Sequence, residues 1–477
     1  MSNLLASLLS SAGTLDAYGR VLETTQNNVS NASTPGYAKQ RVSLYALPFD
    51  PAGGATGGVR AGTLVSSRNE YAETAVREQT SAQGHQDQMV NSLTEIEALF
   101  DISGNSGIPL ALNNLMQSFS AWATTPADQA VRQTVLDRAS QLASAFQQSY
   151  NSLAAKSSTT DQQIRQTVDQ INQKVAGLQN YNRIALQGQN SDSGLNARMH
   201  AALEELSQFV QFDATFQSDG TVTIMLNGQT PLLLEDKQYE LSSGLVQPSD
   251  ATYPNAPASS RIFASDGTDI TSQTTGAQLG ALLDLHNQTL ASLIGDSSQP
   301  GDLNRLAKQI ATRVNDLLTS GQISAGPPPQ PGVPVFTFDT SNDAGVAATM
   351  DIDPAVTPDQ LAAIDPGPPS VSNGIALALS QLANPTAAID KIDGVSYSQY
   401  FGSIAARIGG ALNDATNGQE VQQSLLAQAK DLRDQYSGVS LDEEAAILIQ
   451  FQRAYQANSR FITILDQLTE DTINILR

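Results

Sequence analysis

The chain has 477 residues and a formal net charge of −22, with 47 acidic side chains, 25 basic ones and no cysteine. This charge argues against nucleic acid and anionic membrane surfaces as partners, because little would neutralise their phosphates. The absence of cysteine excludes disulfides, thiolate metal sites and a cysteine nucleophile. The length predicts roughly two to four domains with an ample core.

The N-terminal segment is predicted to be a helix with a coiled-coil repeat. Apolar side chains recur there every seventh residue: Leu8, Leu15, Leu22 and Val29. This is the spacing of the contact row, or seam, of a coiled coil. Pro35-Gly36 suits a type II turn, with proline at the first central place and glycine at the second. We therefore expect the helix to end near Ser33 and the chain to turn at Tyr37.

The next part of the chain is predicted to be a strand pair followed by helices. Strands at 40–47 and 59–66 are expected to pair across a proline- and glycine-rich loop. The segment Thr125-Pro126-Ala127-Asp128 is typical of a helix start, with threonine as the cap and proline in the first turn. Two apolar stripes follow at 135–153 and 164–178, and we interpret them as a long antiparallel helical pair.

A small β domain is predicted between helical segments. Asp219-Gly220 is a hairpin signal between two strand-like runs. Further strands are expected at 231–234, 238–241 and 261–263, and residues 335–352 are predicted to add strands to this domain. Helices are expected at 279–293, 303–317 and 396–436, with a proline-rich connector at 323–334.

The C-terminal segment is predicted to be one unbroken helix. Ser440 and Glu443 have the spacing of a capping box, and Asp442 and Glu444 add negative charge at the positive end of the helix dipole. A seven-residue repeat follows: Leu441, Leu448, Tyr455, Ile462, Thr469 and Leu476. Such a helix needs a partner for its apolar face, because isolated helices are marginal in water.

No catalytic, cofactor or metal site is predicted. His286 lies on an apolar helical face and is interpreted as a core or interface residue, and neither of the other histidines has a partner at ligand spacing. Asp351, Asp353 and Asp359 are interpreted as a solvated acidic loop, because Pro354 interrupts the spacing of a calcium loop. The usual nucleotide-binding, hydrolase and zinc motifs are absent from the sequence.

Two literal motifs resemble signatures of the axial proteins of the bacterial flagellum, the rod, hook and hook-associated proteins. They are Asn-Val-Ser-Asn-Ala-Ser-Thr-Pro-Gly-Tyr at 28–37 and Gln-Arg-Ala-Tyr-Gln-Ala-Asn at 452–458. The wider run 438–458 resembles the hook-associated members most. The resemblance implies a structural subunit at the hook–filament junction, mainly α with a smaller inserted β domain. It also implies partners: copies of the chain, the hook protein, a second junction protein, and an export chaperone on the C-terminal helix.

The resemblance implies an extracellular location, reached by flagellar type III export. We expect no cleaved signal peptide, because the start lacks a basic segment followed by an apolar one. We expect no membrane insertion either, since no stretch has the roughly 18 apolar residues that a spanning helix needs. The alternatives are a rod or hook subunit, or a secreted enzyme or adhesin carried on an axial scaffold.

The expected assembly interface lies at the two ends of the chain. Its seam is expected to comprise Leu8, Leu15, Leu22, Val29, Leu441, Leu448, Tyr455, Ile462 and Leu476. The turn beneath it is expected to be set by Asn28, Asn31, Pro35, Gly36 and Tyr37. The domains are expected to be an inner tube domain (1–60 plus 437–477), a helical bundle (61–205 plus 275–322 and 371–436), and an outer β-rich domain (206–274 plus 323–370).

Overall fold

The computed structural model describes residues 2–50, 55–101, 104–189, 192–326 and 328–475. Twelve α-helices lie in these ranges: α1 Ser2–Ser30, α2 Glu70–Glu97, α3 Gly107–Thr124, α4 Gln129–Ile184, α5 Ser193–Ser207, α6 Ala277–Asp284, α7 Ala291–Ile294, α8 Asp302–Ser320, α9 Val346–Thr349, α10 Gly374–Gln381, α11 Tyr397–Ser437 and α12 Leu441–Ile475. The predicted class, mainly α with a smaller β part, is confirmed.

The strands are short and form small antiparallel sheets. They are β1 Gln40–Ala46, β2 Phe49–Asp50, β3 Ala55–Thr56, β4 Val59–Ser66, β5 Asp213–Phe216, β6 Val222–Leu226, β7 Thr230–Leu234, β8 Lys237–Gln238, β9 Ser242–Val246, β10 Ser259–Phe263, β11 Gln322–Ser324, β12 Gln330–Pro331, β13 Phe336–Thr337 and β14 Asp351–Ile352. The largest sheet has four strands in the order β5-β6-β7-β8, and the others are strand pairs.

The two ends of the chain lie together. Helix α1 packs against α12, and the hairpin of β1 and β4 packs against α1. The predicted pairing of these two strands is confirmed, with Gln40 opposite Ser66 and a bulge after Val42. Helix α1 ends at Ser30 and the predicted turn follows, with the N–H of Tyr37 bonded to the carbonyl of Thr34 at 3.1 Å.

The prediction of an antiparallel helical pair after Asp128 was wrong. Residues Gln129–Ile184 form one continuous helix of 56 residues, about 84 Å long. Neither glycine nor proline lies between 153 and 164, and the Thr159 and Thr160 hydroxyls bond back to carbonyls of the preceding turn. The predicted cap was also wrong, because Asp128 rather than Thr125 accepts from the first free N–H groups.

The buried side chains form two clusters that share helix α4. The first is the core of the helical body and contains the N-terminal half of α4, α3, α8, α10 and the start of α11. The second lies between residues 164–178 of α4, helix α5, helix α6 and the sheet β5-β6-β7-β8. The hairpin predicted at Asp219-Gly220 is confirmed within that sheet.

The residues after 323 pack differently from the rest of the proposed outer domain. Strands β13 and β14 pair as expected of residues 335–352. The buried side chains of Val335, Phe336 and Met350, in or beside these strands, lie in the first cluster, however, whereas residues 206–274 contribute to the second. In the described residues, 206–274 and 323–370 therefore do not share one core, as a common β domain would. The domain boundaries themselves stay a prediction.

Candidate assembly surface at the chain ends

Helices α1 and α12 run antiparallel and contact each other at several levels. The amide Nδ2 of Asn458, at the middle of α12, donates to the carbonyl of Ser11 at 2.8 Å. Tyr18 and Phe451 meet edge to face near the middle, with ring centroids 5.6 Å apart. Asn28, near the end of α1, contacts Glu444 near the start of α12. Residues more than 400 positions apart in sequence thus form one structural unit.

The buried face of α1 is small and polar rather than leucine-rich. It consists of Ser11, Thr14, Ala17, Val21, Thr25 and Asn28. The hydroxyl of Thr14 donates to the carbonyl of Ser10 at 3.0 Å and accepts the N–H of Val59 at 3.1 Å, so its polarity is satisfied by the hairpin. Small side chains let the backbones of helix, partner helix and hairpin approach closely.

The predicted seam residues lie beside this face. Leu8, Leu15 and Leu22 are half-buried, and Val29 is 41% exposed. On α12, Leu448 and Ile462 are half-buried, whereas Leu441 and Tyr455 are exposed. Leu476 lies outside the described residues. The structure therefore brings eight of the nine expected seam residues into one helix pair, but it does not bury them as the contact row.

Asn28 is the centre of a buried hydrogen-bond cluster. Its Nδ2 donates to the carbonyl of Gln40 at 2.9 Å and to Oε2 of Glu444 at 3.1 Å. Its Oδ1 accepts the N–H of Gln40 and the hydroxyl of Tyr37, both at 2.9 Å. Both amide hydrogens and two acceptor positions are thus used, which is the full capacity expected of a buried asparagine.

Lys39 and Glu444 form a buried ion pair next to Asn28. The lysine Nζ lies 2.9 Å from Oε1 of Glu444 and 2.9 Å from Oε2 of Glu443. Lys39 is 4% exposed and Glu444 1%. Burial alone would lower the pKa of Lys39, but its hydrogen bonds to Glu444 and Glu443 outweigh this and raise the pKa above the ordinary value. The lysine therefore stays charged.

Lys39 was not among the predicted site residues, and Glu444 was expected only to interact with the helix dipole. The serine half of the capping box predicted for α12 is present, since Oγ of Ser440 accepts the N–H of Glu443 at 3.4 Å, whereas Oε2 of Glu443 accepts from Lys39. The signal in the sequence was a lysine two residues after the Pro-Gly-Tyr turn, in a segment expected to pack against the terminal helices. A lysine that is buried there requires an acidic partner. Only the folded chain shows that the partner is the acidic start of α12.

The turn between α1 and β1 is held by the expected residues. Asn31 donates to the carbonyl of Asn27 at 2.9 Å. Gly36 has a φ of +72°, and a Cβ there would lie 2.2 Å from the carbonyl oxygen of Ala197 on α5. The carbonyl of Gly36 accepts from the guanidinium of Arg68 at 2.5 Å. The glycine thus supplies both the left-handed turn and the close approach to the helical body.

Exposed large apolar side chains are concentrated at and near the two ends. Among the residues that the structure describes, 10 lie in 5–71, 11 in 421–473, and 7 in all other stretches together. A groove of about 420 Å³ also opens between α1, β1 and α12, lined by Val21, Val42, Leu44, Ile447 and Phe451 among others. Contiguous apolar surface of this kind marks interaction sites in soluble proteins.

The described residues contain no close group of three or more metal-ligating side chains. No helix within the described ranges has the length and apolar character to cross a membrane. His286 is buried, as predicted, with Nε2 at 3.2 Å from the hydroxyl of Ser157, and burial lowers its pKa.

Comparisons with known proteins match most of the chain. Residues 93–336 match the family described as the flagellar hook-associated protein FlgK helical domain, about half of the sequence. The chain belongs to this FlgK family. Residues 434–475 match a second family, the flagellar basal body rod FlgEFG protein C-terminal region. The predicted resemblance to flagellar axial proteins is therefore confirmed, and the chain is a structural hook-associated subunit at the hook–filament junction.

Individual relatives agree with this assignment. The flagellar hook-associated protein 1 of Bacillus subtilis (strain 168) is 25% identical over 511 residues, which cover 99% of each chain. The structure of the flagellar hook junction protein FlgK from Burkholderia pseudomallei superposes with a TM-score of 0.64 at 15% identity, covering 76% of this chain and 100% of that one. The latter likeness shows a shared fold.

Proposed function

We propose that the paired ends of this chain are its assembly element, and that it acts in the hook–filament junction through helix-face packing without catalysis. One observation supports this most. Asn28 of the N-terminal motif and Glu444 at the start of α12 lie in a single buried polar cluster, while exposed apolar side chains lie on the outside of the same helix pair. The polar cluster holds the two ends of one chain together, and the apolar exterior is proposed to contact neighbouring subunits.

The proposed contacts use the outward members of the expected seam. Val29, Leu441 and Tyr455 are exposed and are proposed to contact neighbouring subunits. The half-buried leucines beside them would be covered fully on assembly. Contacts between different faces of identical chains extend around a helical lattice instead of closing a dimer. The same exterior is proposed to meet the hook protein on one side and a second junction protein on the other.

The chain is further proposed to reach its site by type III export without a cleaved signal. An export chaperone would cover the exposed apolar residues of α12 before assembly, among them Phe461, Ile464 and Leu468. In the assembled state, 1–60 plus 437–477 would form the inner tube layer and the helical body the next layer. We propose that 206–274 faces outward and that 323–370 belongs with the body, in whose core it packs.

Gene deletion in the native host tests the proposal. We expect hooks without filaments by electron microscopy and flagellin released into the medium. Complementation with Leu441→Asp should fail to restore filaments, whereas Ile389→Asp should restore them. Both side chains are similarly exposed, at 56% and 60%, but Ile389 lies away from the ends. Normal filaments in the deletion strain would refute the junction role.

A rod or hook subunit, the alternative that the sequence left open, is not favoured, because residues 93–336 match the FlgK helical domain and the rod-protein match is confined to residues 434–475. The same deletion strain distinguishes the two, because loss of a rod or hook subunit would remove the hooks themselves.

A further inference from the structure

Helix α11 changes its packing partway along its length. Its first part is buried in the core of the helical body through five large side chains: Tyr397, Tyr400, Phe401, Ile404 and Ile408. Beyond them the half-buried Leu412 and the buried Ala415 still touch the margin of this core, and the remaining buried residues of the helix are Ala429 and Ser437. Residues 411–437, which we call the arm, are therefore held to the body much less tightly than residues 397–408.

Two consecutive glycines lie where the arm begins. Gly409 and Gly410 are helical, and neither has a positive φ. A Cβ on Gly410 would meet no neighbouring atom within 4 Å, and one on Gly409 would lie 3.5 Å from Oε1 of Glu97, which is an ordinary contact. Alanine would fit at both positions and would favour the local helix by roughly fivefold at each. The glycine pair is thus a weak point that neither packing nor backbone geometry requires.

The arm rests on α2, which runs antiparallel to it. Gly409 faces Glu97, the last residue of α2. At the other end of the arm, Oγ of Ser437 accepts the N–H of Asn69, just before α2 begins, at 3.1 Å. The glycine pair therefore lies at the end of this contact that is nearest the core, and the terminal helices lie at the opposite end.

The contact between the arm and the middle of α2 is mostly polar. Residues 79–88 of α2 contain no large apolar side chain, and Gln419 of the arm donates to Asp87 there at 2.7 Å. In the part of the chain that the structure describes, the buried side-chain oxygens without a hydrogen-bond partner include Oε1 of Gln79, Gln83 and Gln422. Clefts of about 350 and 260 Å³ flank opposite faces of the same stretch. Burying an unpaired polar atom is unfavourable, so little opposes a separation that admits water.

We propose that Gly409-Gly410 is a hinge, at which the arm swings on the helical body and carries α12 with it. Hinges are formed by a few residues that absorb the change in backbone angles, and these are often small ones. Helix α2 would follow by bending in 79–88, where it also contains a glycine, Gly84. The ion pair of Arg433 and Glu204, at 2.7 Å, ties the arm to α5 and limits the swing to a small angle.

The hinge extends the proposed function and rests on it only for its use. Identical subunits that meet hook protein on one side and a second junction protein on the other would need some part of the chain to adapt. A hinge between the terminal helices and the body lets the two change their relative angle while the core of the body stays packed.

Distances between spin labels measure the hinge directly in the purified full chain. The sequence has no cysteine, so two introduced cysteines are the only labelled sites. One pair, Asn151→Cys with Gln428→Cys, spans the hinge, and the other, Asn151→Cys with Ser398→Cys, lies within the body; all three native residues are exposed. We expect double electron–electron resonance to give a distance distribution at least roughly twofold broader for the first pair. Equal widths would overturn the hinge.

Alanine variants locate the motion. Gly409→Ala with Gly410→Ala should narrow the distribution of the first pair to about that of the second. Gly402→Ala is the matched control and should leave the distribution broad. A Cβ at Gly402 also meets no neighbouring atom within 4 Å, but this position lies in the part of α11 that is fixed to the core. Persistent breadth in the double variant, or equal narrowing by Gly402→Ala, would overturn the inference.

Two further readouts keep the outcomes separate. Circular dichroism should be unchanged in each alanine variant, and Gly410→Ala alone replaces the double variant if that chain misfolds. If the deletion strain has normal filaments, the junction role fails, whereas a hinge measured in the purified chain stands. If the filaments are lost and the two label pairs give equal widths, the junction role stands and the hinge fails.

Discussion

Removing the carboxylate of Glu444 should loosen the two ends of the chain. In Glu444→Ala, Lys39 loses the oxygen at 2.9 Å and keeps only Glu443, whose side chain is 66% exposed. Asn28 also loses one of its two acceptors. Breaking a buried ion pair from one side costs about 3–5 kcal/mol. Because Lys39 retains one partner, we expect the lower end, about 3 kcal/mol.

Amide hydrogen exchange measures this loss where it occurs. The terminal pair is one part of a large protein, so local opening is more informative than a global melting temperature. A cost of about 3 kcal/mol corresponds to roughly 100-fold faster exchange, since each 1.4 kcal/mol is a factor of ten. We expect this acceleration in residues 24–30 and 441–451 and no change in residues 135–153 of the body.

Two variants control the reasoning. Glu443→Gln removes the exposed partner and should change exchange little, because solvent screens such a contact. Lys39→Met combined with Glu444→Gln removes both charges while glutamine still accepts from Asn28, and it should recover most of the loss. If Glu444→Ala accelerates exchange in these segments no more than Glu443→Gln does, the buried cluster does not hold the ends together and the interpretation fails.

Three further predictions follow from single features. Gly36→Ala should destabilise the turn by about 2 kcal/mol or more, because alanine is strained in the left-handed region and its Cβ would clash with Ala197. Faster amide hydrogen exchange at residues 34–40 would report this loss. Burial, with Arg68 and Arg77, holds the pKa of His200 well below 6.5. As the pH drops below 6.5 the unfolded chain takes up the proton first, so the free energy of unfolding should fall. The fall should be smaller in His200→Leu, and urea unfolding above and below pH 6.5 measures it. Limited proteolysis of the purified monomer should cut 2–30 or 441–475 before the body, and earlier cuts in the body would contradict this.

Local signals in the sequence predicted local structure correctly. Asp219-Gly220 predicted a hairpin because the turn residues alone favour that geometry. Pro35-Gly36 predicted the turn after α1 for the same reason. The seven-residue repeats predicted helices at both ends, since a long periodic pattern is the strongest helical signal. Each of these inferences depends on residues close together in the chain.

Long-range packing could not be read from the same patterns. The leucine row at Leu8, Leu15 and Leu22 has the period of a seam, but a period does not say whether its partner is the same chain or a neighbour. The buried residues that face α12 and the hairpin are instead mostly small or polar: Ser11, Thr14, Ala17, Val21, Thr25 and Asn28. The pair formed by Asn28 and Glu444 spans 416 residues of sequence, and no local rule connects them.

The continuous α4 helix illustrates a related limit. Two apolar stripes with a polar stretch between them were interpreted as two helices, although no residue between 153 and 164 breaks a helix. The change in pattern has another cause. The first stripe faces the core of the helical body, and the second faces the β insertion. A change of partner along one helix therefore resembles a loop in the sequence.

The division between a polar interior and an apolar exterior suits a subunit with several neighbours. A buried polar cluster is satisfied in only one arrangement, so it specifies register within the chain even where its net stabilisation is small. Apolar faces are less demanding of geometry and therefore suit the two proposed kinds of contact, one with hook protein and one with further copies of the chain. The net charge of −22 opposes both contacts. Assembly of the purified chain should therefore strengthen as salt screens that repulsion, whereas an interface held by ion pairs between subunits would weaken.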